Sequence, residues 1–425
     1  MPGIRHTIAI VGYGTAGQTA AALLAADGHQ VHVFEQAPVL GPVGAGFLLQ
    51  PTGLQVLWEM GLLSQALAHG RRIDRLYGET PAGRAVMDMR YTDLDPRLSG
   101  LGMQRGALFS LLAQAWSGFG GVQCGTRITE VSEDTRRVRD ASGTWHGPFD
   151  LVIAADGAGS ALRRHTQGVR SEAPYPWGAL WCLVPQDDWP WQHELRQRYV
   201  AARKMIGMLP VGTRPGDDTP RLSFFWSLPA DGFAAWEQTG MPAWRDEVAA
   251  MWPQAEARLH HLTGCTQLAR AGYRDAVVHT WHRDRLLLMG DAAHAMSPQL
   301  GQGVNMALMD AAALRDALRA EDALPAALAR YQRQRQAHVA IYQFWSRWLT
   351  PLFQSNRDRV AALRDAAFLP LGRMPGGRGH MLRVLSGTQR GLFGRLALPP
   401  VFLQALTDAP AIDAPMPALG VAEAP

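Results

Sequence analysis

Lysine is nearly missing from this chain: Lys204 is the only one among 425 residues, and arginine carries the rest of the positive charge. The arginines are scattered and the formal net charge is only +4, so there is no cationic block or stripe to hold nucleic acid. An anionic small molecule suffices to account for the balance. Cysteine is scarce too. Cys124, Cys182 and Cys265 lie far apart and are odd in number, which excludes a disulfide framework and a CxxC pair and reads as cytoplasmic. HExxH, a Cys/His cluster and a close pair of acids at ligand spacing are all lacking, so no metal is expected. No uninterrupted apolar run approaches the roughly 20 residues that span a bilayer. Arg5 followed by an apolar, alanine-rich stretch resembles a secretory leader. Cleavage there would destroy a glycine turn that the next residues need, so the stretch is read as part of the fold.

What is present begins at residues 7–35, "TIAIVGYGTAGQTAAALLAADGHQVHVFE". Thr7 to Val11 is short, branched and bounded by glycine, as suits a strand buried on both faces of a parallel sheet. Gly12, Gly14 and Gly17 follow at GxGxxG spacing. The first permits a sharp turn, the second lets backbone approach a pyrophosphate, and the third lets a helix lie close to the sheet. Ala16, Ala20 and Leu24 then recur at helical spacing, and the N-terminus of that helix favours an anion. Val31 to Phe34 makes a second strand closed by Glu35. A carboxylate there accepts hydrogen bonds from ribose hydroxyls and repels a 2′-phosphate.

Further on, Gly41, Gly44 and Gly46 crowd a loop before a helix opened by Pro51, either a floppy segment or backbone passing close to something flat. Residues 72–91 read as hairpin strands, "MQRGALFSLLAQAW" as a helix with Leu108, Leu111, Leu112 and Ala115 on one face, and residues 122–131 and 136–146 as strands. "FDLVIAADGAGSALRRH" is another buried strand ending in glycines. From Trp177 to about Ala271 the texture changes to clustered tryptophans, prolines and short alternating runs such as "RLSFFWSL". That suits an inserted sheet with a helix or two, its aromatics mostly core. "YQRQRQAHVAIYQFWSRWLTPLF" restores helical spacing, and the last twenty residues, rich in alanine and proline, read as an irregular tail.

The stretch "RDRLLLMGDAAHAMSPQLGQGVNMALMDAAALRDAL" settles the class of ligand. Leu286 to Met289 is a buried strand, Gly290 turns it, and Asp291 stands at its carboxyl end, where open α/β sheets place ligands. Gly301 and Gly303 then lead into a helix whose N-terminus is a second anion site. Two nucleotide-facing edges in one chain suit a long bent cofactor better than a single mononucleotide.

With GxGxxG at Gly12 to Gly17, "DG" at Asp156-Gly157, and "GDAAH" at Gly290 to His294 followed by "PQLGQGVN", the chain resembles the FAD-dependent aromatic hydroxylases, single-component flavoprotein monooxygenases related to para-hydroxybenzoate hydroxylase. The three motifs, in that order, bracket residues 7 to about 320. The resemblance implies an α/β fold: a Rossmann-like FAD-binding domain, an inserted mixed or antiparallel β-sheet substrate domain, and a C-terminal helical segment. Its parts fall at 1–71, 101–170 and 275–330 for FAD, at 72–100 and 171–274 for the substrate sheet, and at 331–425 for helices and tail.

By the same resemblance Gly12, Gly14, Ala16, Gly17 and Glu35 hold the adenylate end, with Ile128 offering backbone to the adenine. Arg105 contacts FAD, where a fixed guanidinium suits a pyrophosphate. Asp156 is linked to both FAD and the nicotinamide donor, although a helix cap is the plainer reading. Asp291 takes the ribityl chain, and the backbone of Gly303, Val304 and Asn305 faces the flavin's pyrimidine edge. Phe47 and Pro298 line the substrate pocket, and His294 is expected to fix its loop by donating to backbone rather than to move protons.

The implied activity is hydroxylation of an aromatic or other electron-rich small molecule with O2, via a C4a-hydroperoxyflavin. NADH or NADPH serves as transient reductant, and no second GxGxxG tells which. Gln36 stands where many relatives place a basic residue. An epoxidase, a dehydrogenase or, with "WPW" only a partial echo of WxWxIP, a halogenase would share the scaffold. A binding protein without redox work, like the GDP-dissociation inhibitors, is the rival from another class. Oligomeric state has no signature in the sequence.

Overall fold

The computed structural model describes residues 4–42, 44–374 and 376–408; from residue 409 the expected tail lies outside them. Thr7–Val11 is the centre of a six-stranded sheet whose order is His282–Arg283, Leu286–Leu288, Leu151–Ala154, Thr7–Val11, Gln30–Phe34, Val122–Gln123. All neighbours are parallel except the edge strand His282–Arg283. The three central runs are apolar without alternation because both of their faces are covered: Ile8, Ala9, Ile10, Leu151 to Ala154 and Leu286 to Leu288 are wholly buried. Helices Thr15–Ala26 and Gly303–Ala320 pack against each other beside this sheet.

This strand order decides where the site forms. Thr7–Val11, Leu151–Ala154 and Leu286–Leu288 are adjacent and parallel, so the turns carrying Gly12, Asp156 and Gly290 leave from one edge of the sheet. Motifs far apart in sequence become neighbours. A Cβ placed on Gly12 would lie 3.1 Å from the Asp156 Cα, and one on Gly290 would lie 3.0 Å from the Ala16 Cβ.

The second large sheet has seven strands, Ala269–Val278, Val169–Pro185, Asp217–Pro229, Lys204–Arg214, Glu194–Val200, Arg75–Glu79 and Ala85–Arg90, in that order. Its pairs are antiparallel except Glu194–Val200 with Arg75–Glu79. One face carries Leu180, Phe224 and Trp226 and packs on helices Phe233–Thr239, Met241–Met251 and Pro253–Glu256. Most tryptophans of this region belong to that core, with Trp189, Trp244 and Trp252 fully buried. Trp181 and Phe225 group instead with Tyr199, Met205 and Phe353, their rings 5.1 Å apart. A small sheet of Gly46–Leu49, Gly100–Gln104 and Arg71–Ile73 packs against strand Lys204–Arg214 of the seven-stranded sheet and touches helix Gly303–Ala320.

Residues 122–131, expected as one strand, are two. Val122–Gln123 ends the parallel sheet, and Ile128–Val131 belongs to a separate three-stranded sheet. Between them the Gly125 and Thr126 amides donate to the carbonyls of Ala37 and Glu35, so tertiary hydrogen bonds break a run that alternation alone would continue. The C-terminal helix Leu324–Phe353 starts ahead of Tyr331 and reaches the central sheet, where the Tyr331 hydroxyl donates to the Leu288 carbonyl at 3.3 Å. Helices Asp358–Arg373 and Gly377–Leu385 follow. Among the described residues no helix is long and apolar enough to cross a membrane.

Candidate cofactor and substrate site

At the first turn the chain folds back so tightly that a Cβ on Gly17 would run into the Gly12 carbonyl oxygen, which confines the position to glycine. Gly14 is different. Nothing lies within 4 Å of its Cβ position, and its φ of −75° suits any residue. It is the N-cap of Thr15–Ala26, a helix with no side-chain cap and no acid in its first turn. The first ladder bond runs from Gln18 N to Gly14 O at 2.9 Å, so the amides of Thr15, Ala16 and Gly17 precede the ladder at the positive end of the dipole. Glu35 accepts the Tyr13 amide at 2.7 Å on one oxygen and the Ala37 amide at 2.9 Å on the other. It therefore orders both loops while each oxygen keeps a lone pair. The Ile128 side chain is core, and its strand begins just beyond the segment bonded to Glu35.

At the second turn one oxygen of Asp156 accepts the Ala161 amide at 2.9 Å, the turn-capping role that the sequence also allowed. The other, Oδ1, is buried without a protein partner, and burial pushes this carboxyl's pKa up. A buried acceptor left over at the ligand edge of a sheet is a place for a ligand donor.

At the third turn Asp291 begins the short helix Asp291–His294 and is exposed. Its Oδ1 lies 3.9 Å from the position of a Cβ on Gly303. The helix Gly303–Ala320 again has no side-chain cap and no acid in its first turn, and its ladder starts with Met306 N to Gln302 O. The amides of Gly303, Val304 and Asn305 thus also precede a helix ladder at the positive end of its dipole. The Asn305 side chain faces inward, accepting the Gln50 amide at 2.8 Å and donating to Gly301 O at 3.2 Å.

His294 does fix its loop, but its partner is a side chain and not backbone. Its Nε2 pairs with Asp310 Oδ2 at 2.7 Å, and the same oxygen accepts the Gly290 amide at 2.8 Å. Arg335 Nε donates to the other oxygen at 2.6 Å. Burial alone would raise the Asp310 carboxyl; His294 and Arg335 overcome it and hold its pKa at about 2. Arg335 in turn bonds His338 Nδ1 at 2.7 Å, and His338 Nε2 bonds the Gly387 carbonyl at 2.9 Å.

Arg105 opens the helix Arg105–Trp116, and its stem lies against Gly44, where a Cβ would come within 2.8 Å of the Arg105 Cδ. Its guanidinium carbon is 5.5 Å from the Phe47 ring centre. Burial lowers its pKa, and the Asp291 carboxylate opposes that shift. Tyr273, held protonated by burial, accepts a hydrogen bond from Trp181 Nε1 at 3.1 Å. Pro298 opens the one-turn helix Pro298–Leu300, which ends at Gly301.

The turns of Gly12 to Gly17, Asp156, Asp291 and Gly303 therefore share one edge, with Arg105 and Phe47 facing it, while Glu35 and Ile128 mark one end. Sequence reasoning missed Arg163. It is buried and donates to the carbonyls of Ala158, Asp291 and Ala292 at 2.9, 2.9 and 2.7 Å, locking the second turn to the third. In "ALRRH" nothing distinguishes it from exposed Arg164. Within the tryptophan-rich sheet, spacing alone does not single out Trp181, which lies outside the main tryptophan core, or its hydrogen-bond partner Tyr273.

Two uncapped helix N-termini, a glycine turn open at Gly14, an orphaned buried carboxylate oxygen and a desolvated guanidinium fit a dinucleotide with a bulky second half. The comparisons agree. The family model described as FAD binding domain matches residues 5–343. The kynurenine 3-monooxygenase of Salinispora arenicola (strain CNS-205) is 30% identical over 393 residues, 87% of this chain and 84% of that protein. The 3-amino-4-hydroxybenzoate 2-monooxygenase of Streptomyces cremeus is 31% identical over 397 residues, 85% of this chain and 93% of its own length. Among solved structures, P. aeruginosa PqsL in complex with 2-aminobenzoylacetate superposes with a TM-score of 0.72 at 26% identity, covering 85% of this chain and 100% of PqsL. Klebsiella pneumoniae HpxO complexed with FAD shares the fold, with a TM-score of 0.74 at 21% identity over 90% of this chain and 99% of its own. The chain belongs to the FAD-binding family that this model describes, among its FAD-dependent monooxygenases.

Proposed function

We propose that this FAD-dependent enzyme uses NAD(P)H and O2 to hydroxylate a small, planar, electron-rich arene, and that the residues gathered at the sheet edge have the following roles. The Thr15 to Gly17 amides and Arg105 neutralise the pyrophosphate. Glu35 accepts from the adenosine ribose, and the backbone near Ile128 borders the adenine. Asp156 Oδ1 and Asp291 accept from the ribityl side, and the Gly303 to Asn305 amides stabilise negative charge on the pyrimidine edge. FAD bound there would supply hydride acceptance and oxygen activation.

The protein's part is to orient and to keep water out. Phe47, Trp181, Tyr273 and the Pro298 turn supply apolar surface with one phenolic hydroxyl among them, suited to an aromatic ring with few charges. The relatives point the same way: kynurenine and 3-amino-4-hydroxybenzoate, for which two of them are named, are both amino-substituted arenes. Three scattered cysteines suit a reducing cytoplasm.

The observation that carries this reading is the convergence of three sequence-distant turns and Arg105 on one sheet edge. It is tested by incubating the flavin-loaded protein with NADH or NADPH and a panel of phenols, hydroxybenzoates, aminobenzoates and fused heteroaromatics. A panel member should stimulate NAD(P)H consumption and gain one oxygen atom by mass, labelled when 18O2 is supplied. Stimulated consumption with desaturated or epoxidised product would replace hydroxylation by the dehydrogenase or epoxidase reading.

A further inference from the structure

The helix Leu324–Phe353 reaches two of the loops that frame the site. Near its middle, Arg335 and His338 act through Asp310 on the Gly290 turn, as described above. Near its end, Ser346 and Thr350 stand four residues apart on one face, with Gln354 four further on. Opposite them is the loop around Pro298. Ser297 Oγ lies 2.7 Å from Ser346 Oγ and 3.1 Å from Thr350 Oγ1, and Ser346 Oγ donates back to the Ser297 carbonyl at 3.1 Å. Gln299 Nε2 donates to Gln354 Oε1 at 2.6 Å. The loop's far end is tied to the helix Gly377–Leu385, where Gln302 Nε2 donates to the Leu385 carbonyl at 2.6 Å. Ser297, Ser346, Gln302 and Gln354 are all buried.

Apolar side chains would fill this contact at less desolvation cost, since a buried hydroxyl is neutral to stability only while paired. What the polar ladder adds is register: Ser297 Oγ meets both Ser346 Oγ and Thr350 Oγ1, Gln299 meets Gln354, and a shift of the loop by one residue breaks these contacts across the gap. Pro298 lies between the two tied residues, Ser297 and Gln299. The same rod thus sets the Gly290–Asp291 turn from one stretch and the Pro298 loop from another, and so sets the gap between them.

We propose that Ser346, Thr350 and Gln354 are positioning residues for the monooxygenase reaction, holding the Pro298 loop down over the flavin so that solvent is kept from the ring. The inference rests on the functional reading above, in which the Pro298 turn borders the substrate pocket and the flavin's pyrimidine edge meets the Gly303 to Asn305 amides that follow it. It concerns closure of the site, not affinity for the cofactor.

The test uses the full-length flavin-loaded protein, the double variant Ser346→Ala/Thr350→Val, the conservative Thr350→Ser, and Arg347→Ala as a control. Arg347 lies on the same helix but is exposed, paired with Asp275 at 2.9 Å. Three quantities are read: FAD content, thermal midpoint, and the rate at which dithionite, a small hydrophilic reductant, bleaches the bound flavin. Expected for the double variant is a full complement of FAD with bleaching faster by about threefold or more. Thr350→Ser and Arg347→Ala should bleach at the wild-type rate, even where their midpoints fall. Where the panel yields a substrate, the double variant should also release more hydrogen peroxide per NAD(P)H consumed.

Unchanged bleaching in the double variant overturns the proposal, and so does a matching acceleration in Arg347→Ala, which would mark a general loosening. Loss of FAD from the double variant also overturns it, since the ladder would then be holding cofactor. A wild-type protein that takes up no flavin sinks the functional reading itself, and shows before any variant is made.

Discussion

Gly14 and Gly17 stand in one turn, yet the fold needs only the second. Gly17 lies so close to the Gly12 carbonyl that even a methyl group must displace backbone, so Gly17→Ala should cost about 1–3 kcal/mol by overpacking and lower the thermal midpoint of the flavin-free protein. Gly14 has open space and an ordinary φ. Gly14→Val should leave the flavin-free midpoint within about 2 °C of wild type while weakening FAD by at least about tenfold, or 1.4 kcal/mol, in a calorimetric titration. If Gly14→Val binds FAD normally, no pyrophosphate approaches that backbone. Arg105 makes a parallel case. Its guanidinium is desolvated and stacked by Phe47, and a lysine cannot reproduce the fork. Arg105→Lys should weaken FAD by about tenfold with no loss of flavin-free stability.

At the scale of elements, the C-terminal helix ties the late glycine turn to the rest of the chain through charge. Burial and the Arg335 charge push His338 down to about 3, below the 6.5 of a free histidine. Between those values the unfolded chain binds a proton that the folded chain refuses, so stability falls as pH is lowered through that window, by about 1.4 kcal/mol per unit. Asp310 adds to this only in stronger acid: held at about 2 against an ordinary 3.8, it stabilises fully above the ordinary value and loses that contribution on the way down to about 2. Urea unfolding at pH 7 and pH 5 should show wild type losing about 2 kcal/mol more than His338→Gln; equal losses would mean that His338 is protonated in the folded protein. Removing the carboxylate by Asp310→Ala leaves Arg335 buried and unpaired, and should cost about 3–5 kcal/mol.

The same elements show what could be read in advance. The central strands were legible because burial on both faces leaves an unbroken apolar run, and the helix starts because glycine and small residues precede them. The division of residues 122–131 was not, since the hydrogen bonds that break it come from Ala37 and Glu35. Nor were Arg163, Arg335 or the Ser346 ladder. Their partners lie on other elements, 129 residues away for Arg163 with Ala292, 25 for Arg335 with Asp310 and 49 for Ser346 with Ser297, and such pairings leave no local pattern. The gathering of the glycine turns, Asp156 and Asp291 at one sheet edge was legible because each turn follows a short, buried run that suits a parallel strand.

For the molecule as a whole, everything depends on one bent ligand joining an amino-terminal turn to a turn near the far end of the parallel sheet. The two uncapped helices, Thr15–Ala26 and Gly303–Ala320, pack on each other, and the proposal needs one dinucleotide to span both of their N-termini. A titration of Asp291→Ala should then show ADP binding unchanged and FAD weakened by at least about tenfold, because ADP reaches only the first turn. Equal loss of both ligands would place Asp291 in the fold and not in the site.

The most direct measurement is a crystal structure of the protein grown with FAD. Density should run continuously from the Glu35 carboxylate, past Arg105 and Asp291, to an isoalloxazine ring whose pyrimidine edge meets the Gly303 to Asn305 amides. Density for a nucleotide at Glu35 that ends before Asp291, with the ring disordered or lodged elsewhere, would contradict it.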